Sequence, residues 1–162
     1  MGNMIVEAQI NEVTKHLAKT IHSIEQFLNE TTLDMLVNNH IDKLDYYKLF
    51  LSQCRKVLVY SEERFEEAQI IQKAIPFPKQ IAEKILYKIY HQCIEEFFSP
   101  KSDVWYEDSR AAYTGKNAIC FRQEVTPSIH LLFQQLEGGF QYLREELEYY
   151  ETDYKTKLLQ SK

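Results

Sequence analysis

Cysteine, glycine and long apolar runs are all scarce in this sequence. The three cysteines, Cys54, Cys93 and Cys120, lie far apart and form no Cys-x-x-Cys pair. This spacing indicates ordinary reduced thiols and not a disulfide framework, so we expect a cytoplasmic protein. No apolar stretch approaches the length of a membrane span, and the first residues show no basic start followed by an apolar run. We therefore expect no membrane segment and no signal peptide.

Basic residues are outnumbered by acidic ones, 19 against 24, which gives a net charge of −5. This balance repels a phosphate backbone, and no basic patch is visible, so we expect no nucleic-acid partner. The hydrophobic fraction of 44% is that of a packed globular protein, and the length of 162 residues fits a single helical-bundle domain, 1–162. The acids crowd near the end of the chain: Glu145, Glu146, Glu148, Glu151 and Asp153.

Apolar residues recur at steps of three and four over three long stretches before residue 99, which predicts amphipathic helices. The first covers residues 6–29, the second about 41–74, and the third runs from the prolines at 76 and 78 to Phe98. A short helix is predicted after the first, capped by Thr31 or Thr32 and closed by two asparagines. No glycine or proline interrupts the second stretch, so it is predicted as one helix, with a kink at Ser61 left open.

A fourth long helix is predicted from Thr126-Pro127-Ser128 to about Leu158. Gly138-Gly139 lies inside it, at a cost of about 1 kcal/mol per glycine relative to alanine. We expect this pair to mark the close approach of another backbone, or a bend. The predicted fold class is mainly α: an antiparallel bundle of four long helices with a β-hairpin inserted between helices 3 and 4.

The hairpin is predicted in the 99–122 segment, the one stretch without a helical pattern. Glycine adopts positive φ without steric cost, so Gly115-Lys116 suits a two-residue hairpin turn. In this prediction residues 110–114 pair with residues 117–121. One face should pack on the helices, because an isolated two-stranded hairpin is marginally stable in water.

The same segment holds the candidate binding residues, because loops held by a rigid scaffold often carry the side chains that bind. Tyrosine, tryptophan and arginine also dominate binding hot spots. The candidates are Trp105, Tyr106, Glu107, Asp108, Arg110, Tyr113 and Lys116. The alternative is that Trp105 and Tyr106 are hydrophobic plugs beneath a connection, with the charges solvated around them.

Motifs for catalysis, metals and cofactors are weak. His91 and Glu95 are four residues apart and could face one metal ion, but the Glu-x-x-His pairs of di-iron bundles are absent. Gly115-Lys116 resembles the end of a phosphate loop, yet Asn117 stands where that motif has serine or threonine. Asp108-Ser109-Arg110 lacks the Gly-x-Ser-x-Gly elbow of a hydrolase. We expect no metal ion and no cofactor, and catalytic residues stay unknown.

Four stretches carry a family resemblance: HQCIEEFF at 91–98, WYEDSR at 105–110, YTGKNAI at 113–119 and LREELEYYET at 143–152. In these stretches the chain resembles the YpuI-like family of uncharacterised proteins from Bacillus-type bacteria. The resemblance extends over essentially the whole chain. It implies a cytosolic bacterial protein of unknown role, and it transfers no catalytic residue.

The sequence favours a non-enzymatic module that binds another protein, or itself, through the 99–122 segment and the adjoining acidic helix. The alternative is a small-ligand-binding protein or enzyme with a polar pocket between hairpin and bundle. Glu95 and Asp103 would join the candidate residues in lining that pocket, with a carboxylate as acid or base. An anion site of Arg110, Lys116 and Arg122 is a weaker third reading, because the predicted strand pairing keeps the three apart.

Overall fold

Long helices dominate the structure, a computed structural model that describes residues 2–108 and 118–160. The α-helices are α1 (Gly2–Glu30), α2 (Leu33–Val37), α3 (Leu44–Lys73), α4 (Lys79–Lys88), α5 (Glu95–Phe98), α6 (Pro127–Glu146) and α7 (Asp153–Gln160). Two strands, β1 (Trp105–Glu107) and β2 (Ile119–Phe121), form an antiparallel sheet between α5 and α6. The predicted mainly α class with a small hairpin between the later helices is confirmed.

Helices α1 and α3 form the long sides of the core. The apolar positions of α1 recur at helical spacing, and Ile10, Val13 and Leu17 are fully buried. Between the two helices, the Thr32 hydroxyl caps α2 by accepting from the Met35 amide at 3.2 Å. Asn38 closes α2 in the left-handed conformation, with a φ of 43°. The short capped helix predicted from the sequence is therefore confirmed, and α3 continues through Ser61 without ending there.

The third helical stretch changes its winding partway. It starts as α4, loosens into a π-helical segment (Ile89–Ile94), and returns to α geometry in α5. Four residues of the π-helical segment are buried: Ile89, Tyr90, Cys93 and Ile94. Such segments occur often at functional sites, because the extra residue in the turn re-aims the side chains around it.

The last helix is broken, which corrects the prediction of one helix to about Leu158. Helix α6 ends at Glu146, a 3₁₀ turn (Glu148–Tyr150) follows, and α7 begins at Asp153. No glycine or proline marks this break. Glu145, Glu148 and Glu151 are three residues apart. On a continuous helix they would lie on one face, where their like charges repel.

The glycine pair sits within an unbroken part of α6, and its two members differ. A Cβ added at Gly139 would meet the His16 ring at 2.2 Å, whereas one added at Gly138 would meet nothing within 4 Å. Gly139 therefore marks the close approach of a side chain from α1, and not of a backbone as predicted.

The hairpin register differs from the predicted one. In the structure Phe121 pairs with Trp105, Cys120 with Tyr106 and Ile119 with Glu107. The prediction instead placed Arg110 opposite Phe121. The register is set by packing, because it turns Trp105 into the core and Glu107 toward α6. The predicted turn at Gly115-Lys116 lies outside the described residues.

Candidate functional site

Trp105, the first predicted binding anchor, is a core residue. Its side chain is 1% exposed, and its indole Nε1 donates to the Phe97 carbonyl. Its ring contacts Phe50, Phe121 and Phe133 at centroid distances of 5.6, 6.5 and 4.7 Å. We call these four side chains the aromatic core. The burial of Trp105 agrees with the plug alternative and leaves it no surface to offer a partner.

Tyr106 points the other way from Trp105, as alternation along a strand requires, and is 36% exposed. The Arg122 guanidinium lies over its ring at 4.0 Å from the centroid. Arg122 also pairs with Asp103 at 3.0 Å, and this hydrogen bond is the main cause that raises its pKa. Two residues predicted for different sites, Asp103 and Arg122, therefore neutralise each other beside the hairpin.

Glu107 anchors the hairpin to α6. Its two carboxylate oxygens accept from both terminal nitrogens of Arg144, at 2.8 and 2.6 Å. Arg144 also donates to Gln141 and lies over the Phe98 ring at 3.8 Å. The bond to Glu107 is the main cause that raises the pKa of Arg144. Bidentate pairs of this kind fix geometry as well as charge.

Of the four remaining predicted binding residues, the structure describes only Asp108. Asp108 continues the hairpin, since its backbone amide donates to the Ala118 carbonyl at 2.7 Å. Arg110, Tyr113 and Lys116 lie outside the described residues. The described residues of the predicted site therefore do not converge: Trp105 lies in the core, Tyr106 faces the opposite way, and Glu107 fastens the hairpin to α6.

A cleft of about 480 Å³ opens beside the Glu107–Arg144 pair. Its walls come from the π-helical segment and α5 on one side, and from the end of α6 with the 3₁₀ turn on the other. We call it the acidic cleft, and its lining residues are Tyr90, Ile94, Glu95, Phe98, Ser99, Arg144, Glu145, Glu148 and Glu151. Both walls contain a departure from regular α geometry, the π-helical segment on one side and the 3₁₀ turn on the other.

The charge of the acidic cleft is unbalanced. Among the described lining residues, four carry carboxylates and Arg144 alone carries a positive charge, which Glu107 already neutralises. Tyr90, Ile94 and Phe98 also line the cleft, but their side chains are almost fully buried, so they expose little apolar surface to it. Burial, followed by the nearby Glu151, raises the pKa of Tyr90 to about 12. The Tyr90 hydroxyl therefore keeps its proton, and its hydrogen-bond partner is the Glu151 side chain.

His91 joins the two walls of the acidic cleft at its edge. Its Nδ1 lies 3.0 Å from the Glu95 carboxylate, and its Nε2 lies 3.2 Å from the Tyr150 carbonyl. The His91–Glu95 pair considered as a metal site is thus engaged within the protein. Within residues 2–108 and 118–160, no three histidine, cysteine or acidic side chains converge where they could hold a metal ion.

Two of the three thiols are held in an unreactive form. Cys54 and Cys93 are buried, and burial raises the pKa of both. A thiol held protonated in this way is inert.

None of the described helices combines the length and the apolar content needed to cross a membrane.

Sequence reasoning found Glu95 and the acidic end of the chain, but it missed Tyr90, Phe98 and Arg144 as members of one site. A signal was present, since residues 90, 94 and 98 are four apart and Arg144 is the one base in an acidic run. That signal could not be used without knowing that the two helix ends face each other.

Comparisons with known proteins place the chain among relatives without an assigned activity. The profile of the family described as "Protein of unknown function (DUF3907)" matches residues 10–156. The chain is 40% identical over 151 residues to "Uncharacterized protein YpuI" of Bacillus subtilis (strain 168), which covers 93% of this chain and 84% of the relative. No solved structure shows a significant match.

Proposed function

The chain belongs to this DUF3907 family, and we propose that it is a non-enzymatic binding module whose acidic cleft takes a cationic segment of a partner protein. The observation that carries the proposal is the lining of the cleft. Glu95, Glu145, Glu148 and Glu151 line the cleft, and its one arginine, Arg144, is already neutralised by Glu107.

The size and chemistry of the acidic cleft suit lysine or arginine side chains. Its volume of about 480 Å³ falls within the range of roughly 300–1,000 Å³ that ligand sites occupy. A lysine or arginine side chain is long and flexible, so it can bring its charged head to a carboxylate of the cleft.

The hairpin has a supporting role in this proposal. It holds Arg144 against the cleft wall through Glu107, and it fixes α6 through a second bond, from the Ala118 amide to the buried Glu137 carboxylate at 2.9 Å. The binding surface therefore lies next to the 99–122 segment, on the adjoining acidic helix that the sequence also pointed to.

The test is calorimetric titration with N-acetylated hexalysine as the probe. We expect binding that weakens with added salt, because the contacts are between exposed charges. Replacing both Glu148→Gln and Glu151→Gln should lower the affinity about tenfold, which corresponds to about 1.4 kcal/mol. Both side chains are exposed, so the fold should survive.

The matched control is the pair Glu62→Gln and Glu66→Gln, which removes the same charge from an exposed face of α3. It should leave the affinity within about twofold, a difference of roughly 0.4 kcal/mol. An equal loss in both double variants would mean that hexalysine responds to net charge alone, and the acidic cleft would not be its site.

A further inference from the structure

His91 lies between two groups that can only accept a hydrogen bond. Its Nδ1 is 3.0 Å from a carboxylate oxygen of Glu95 on its own helical stretch. Its Nε2 is 3.2 Å from the backbone carbonyl oxygen of Tyr150, in the 3₁₀ turn after α6. A neutral imidazole has one N–H group and one lone pair, whereas an imidazolium has two N–H groups. Only the protonated ring can therefore donate to both partners.

In the neutral ring, one nitrogen lone pair must face an oxygen lone pair. An ionised carboxylate is a stronger acceptor than a backbone carbonyl, so the remaining proton stays on Nδ1, next to Glu95. The Nε2 atom then has no hydrogen to offer to the Tyr150 carbonyl. Loss of the proton therefore weakens the one His91 contact that joins two distant parts of the chain.

This contact holds the end of the chain, residues 148–160, which we call the C-terminal segment. It contains the 3₁₀ turn and α7, and Tyr150 and Tyr154 are its only buried residues. The Tyr150 hydroxyl donates to Gln9 at 3.2 Å, and the Tyr154 ring packs on Tyr87 at 5.6 Å. A segment with so little buried surface opens locally at a small cost in free energy, so one hydrogen bond changes its opening measurably.

The surroundings of His91 can accommodate a positive charge. The rings of Tyr87 and Tyr90 lie 4.5 and 5.3 Å from the imidazole ring. The charged side chains that contact the imidazole or act on the tyrosines beside it are Glu83, Glu95, Glu151 and Arg144. Arg144, the one base among these four, is already neutralised by Glu107, so the remaining charges are negative and favour a cation.

We propose that His91 is a pH switch: its imidazolium fastens the C-terminal segment to the third helical stretch, and loss of the proton loosens that segment. Histidine ordinarily changes its charge between about pH 5 and 8. The attachment is therefore strongest at low pH and weakens as the pH rises through this range. Glu148 and Glu151 lie on the segment and line the acidic cleft, so the switch also holds one wall of the cleft, whether or not a ligand binds there.

The experiment is hydrogen–deuterium exchange of the full chain, read by mass spectrometry at about pH 5.5 and about pH 8. Each exchange rate is divided by the rate of an unstructured chain at the same pH. Protection of the C-terminal segment should fall about tenfold from the lower to the higher pH, the worth of roughly one hydrogen bond. Protection of α3 should not fall in parallel, which separates local loosening from a change in global stability.

Two variants test the cause of the fall. His91→Gln removes the titrating group, so protection of the C-terminal segment should be the same at both pH values. Glu95→Gln replaces the carboxylate with an amide, which can donate to Nδ1 of a neutral ring. The Nε2 atom of His91 can then keep its hydrogen on the Tyr150 carbonyl, so this variant should stay protected at the higher pH. The control, His40→Gln, removes an exposed histidine between α2 and α3 and should show the wild-type fall.

Equal protection of the wild-type segment at both pH values would overturn the inference. A fall that persists in His91→Gln would also overturn it, because another group would then carry the effect. A wild-type fall in Glu95→Gln would show that the pair of acceptors does not control the proton, which removes the physical basis of the switch.

Discussion

The aromatic core and the acidic cleft lie at the two ends of the same short strand, and they are built in opposite ways. At one end of β1, Trp105 is 1% exposed, and its single polar group bonds to the Phe97 carbonyl. At the other end, Glu107 holds Arg144 in the wall of an open cleft lined by exposed carboxylates. The core is dry and neutral, while the cleft is charged and open to solvent.

This comparison shows which kind of side chain forms the protein surface near the hairpin. Aromatic side chains near the hairpin look like binding anchors in the sequence, yet the largest of them fills the core, because burying a tryptophan yields more than exposing it. Burying an unpaired charge costs more free energy, so the carboxylates that line the cleft stay at the surface. Core residues should therefore control stability, and cleft residues should control binding.

The largest expected effect is on stability, from Trp105→Ala. Truncating a buried aromatic side chain typically lowers the free energy of unfolding by about 3 to 5 kcal/mol, because it leaves a cavity. Chemical denaturation followed by circular dichroism measures the change. On the same strand, Tyr106→Ala removes only a surface contact with Arg122 and should cost about 1 kcal/mol. Similar losses in the two variants would erase the distinction between core and surface.

A second effect concerns His16, which lies in the core against Phe140 at 4.4 Å. Burial, followed by the charge of Lys19, lowers the pKa of His16 from 6.5 to about 4. Between these values the unfolded chain binds a proton that the folded chain does not, so stability falls as the pH drops from about 6.5 to about 4. The loss should be on the order of 3 kcal/mol, given about 1.4 kcal/mol per pKa unit.

Denaturation curves of the wild type and of His16→Gln at neutral pH and near pH 4 test this expectation. The variant should lose less stability on acidification, because the titrating group is gone. Parallel pH profiles for the two proteins would show that His16 does not carry the effect.

The smallest effect distinguishes the two neighbouring glycines. Gly138→Ala should raise the free energy of unfolding by about 0.5 to 1 kcal/mol, because alanine favours a helix and no atom lies within 4 Å. Gly139→Ala gains the same helix preference but drives a methyl group into the His16 ring, and overpacking costs about 1 to 3 kcal/mol. The two variants should therefore move the thermal midpoint in opposite directions, and a rise in both would mean that the ring yields easily.

Local pattern was enough to predict most of the helices. The signals are local: apolar residues at helical spacing, the Thr32 cap and the Thr126-Pro127 start each act within one or two helical turns. They could therefore be recognised without knowing the tertiary contacts. Trp105 could not be assigned in this way, since the 99–122 segment has no period that separates a buried aromatic from an exposed one. The register failed for the same reason, because packing of the strand selected it.

The sequence by itself determined that this protein is mainly α, with a hairpin between its later helices and an acidic end, because periodicity, capping and charge are written into neighbouring residues. Tertiary structure alone decided that the π-helical segment faces the break after α6. The two departures from α geometry meet at the hydrogen bond between His91 and the Tyr150 carbonyl, which joins residues far apart in the chain. The acidic cleft between them is therefore a property of the folded chain.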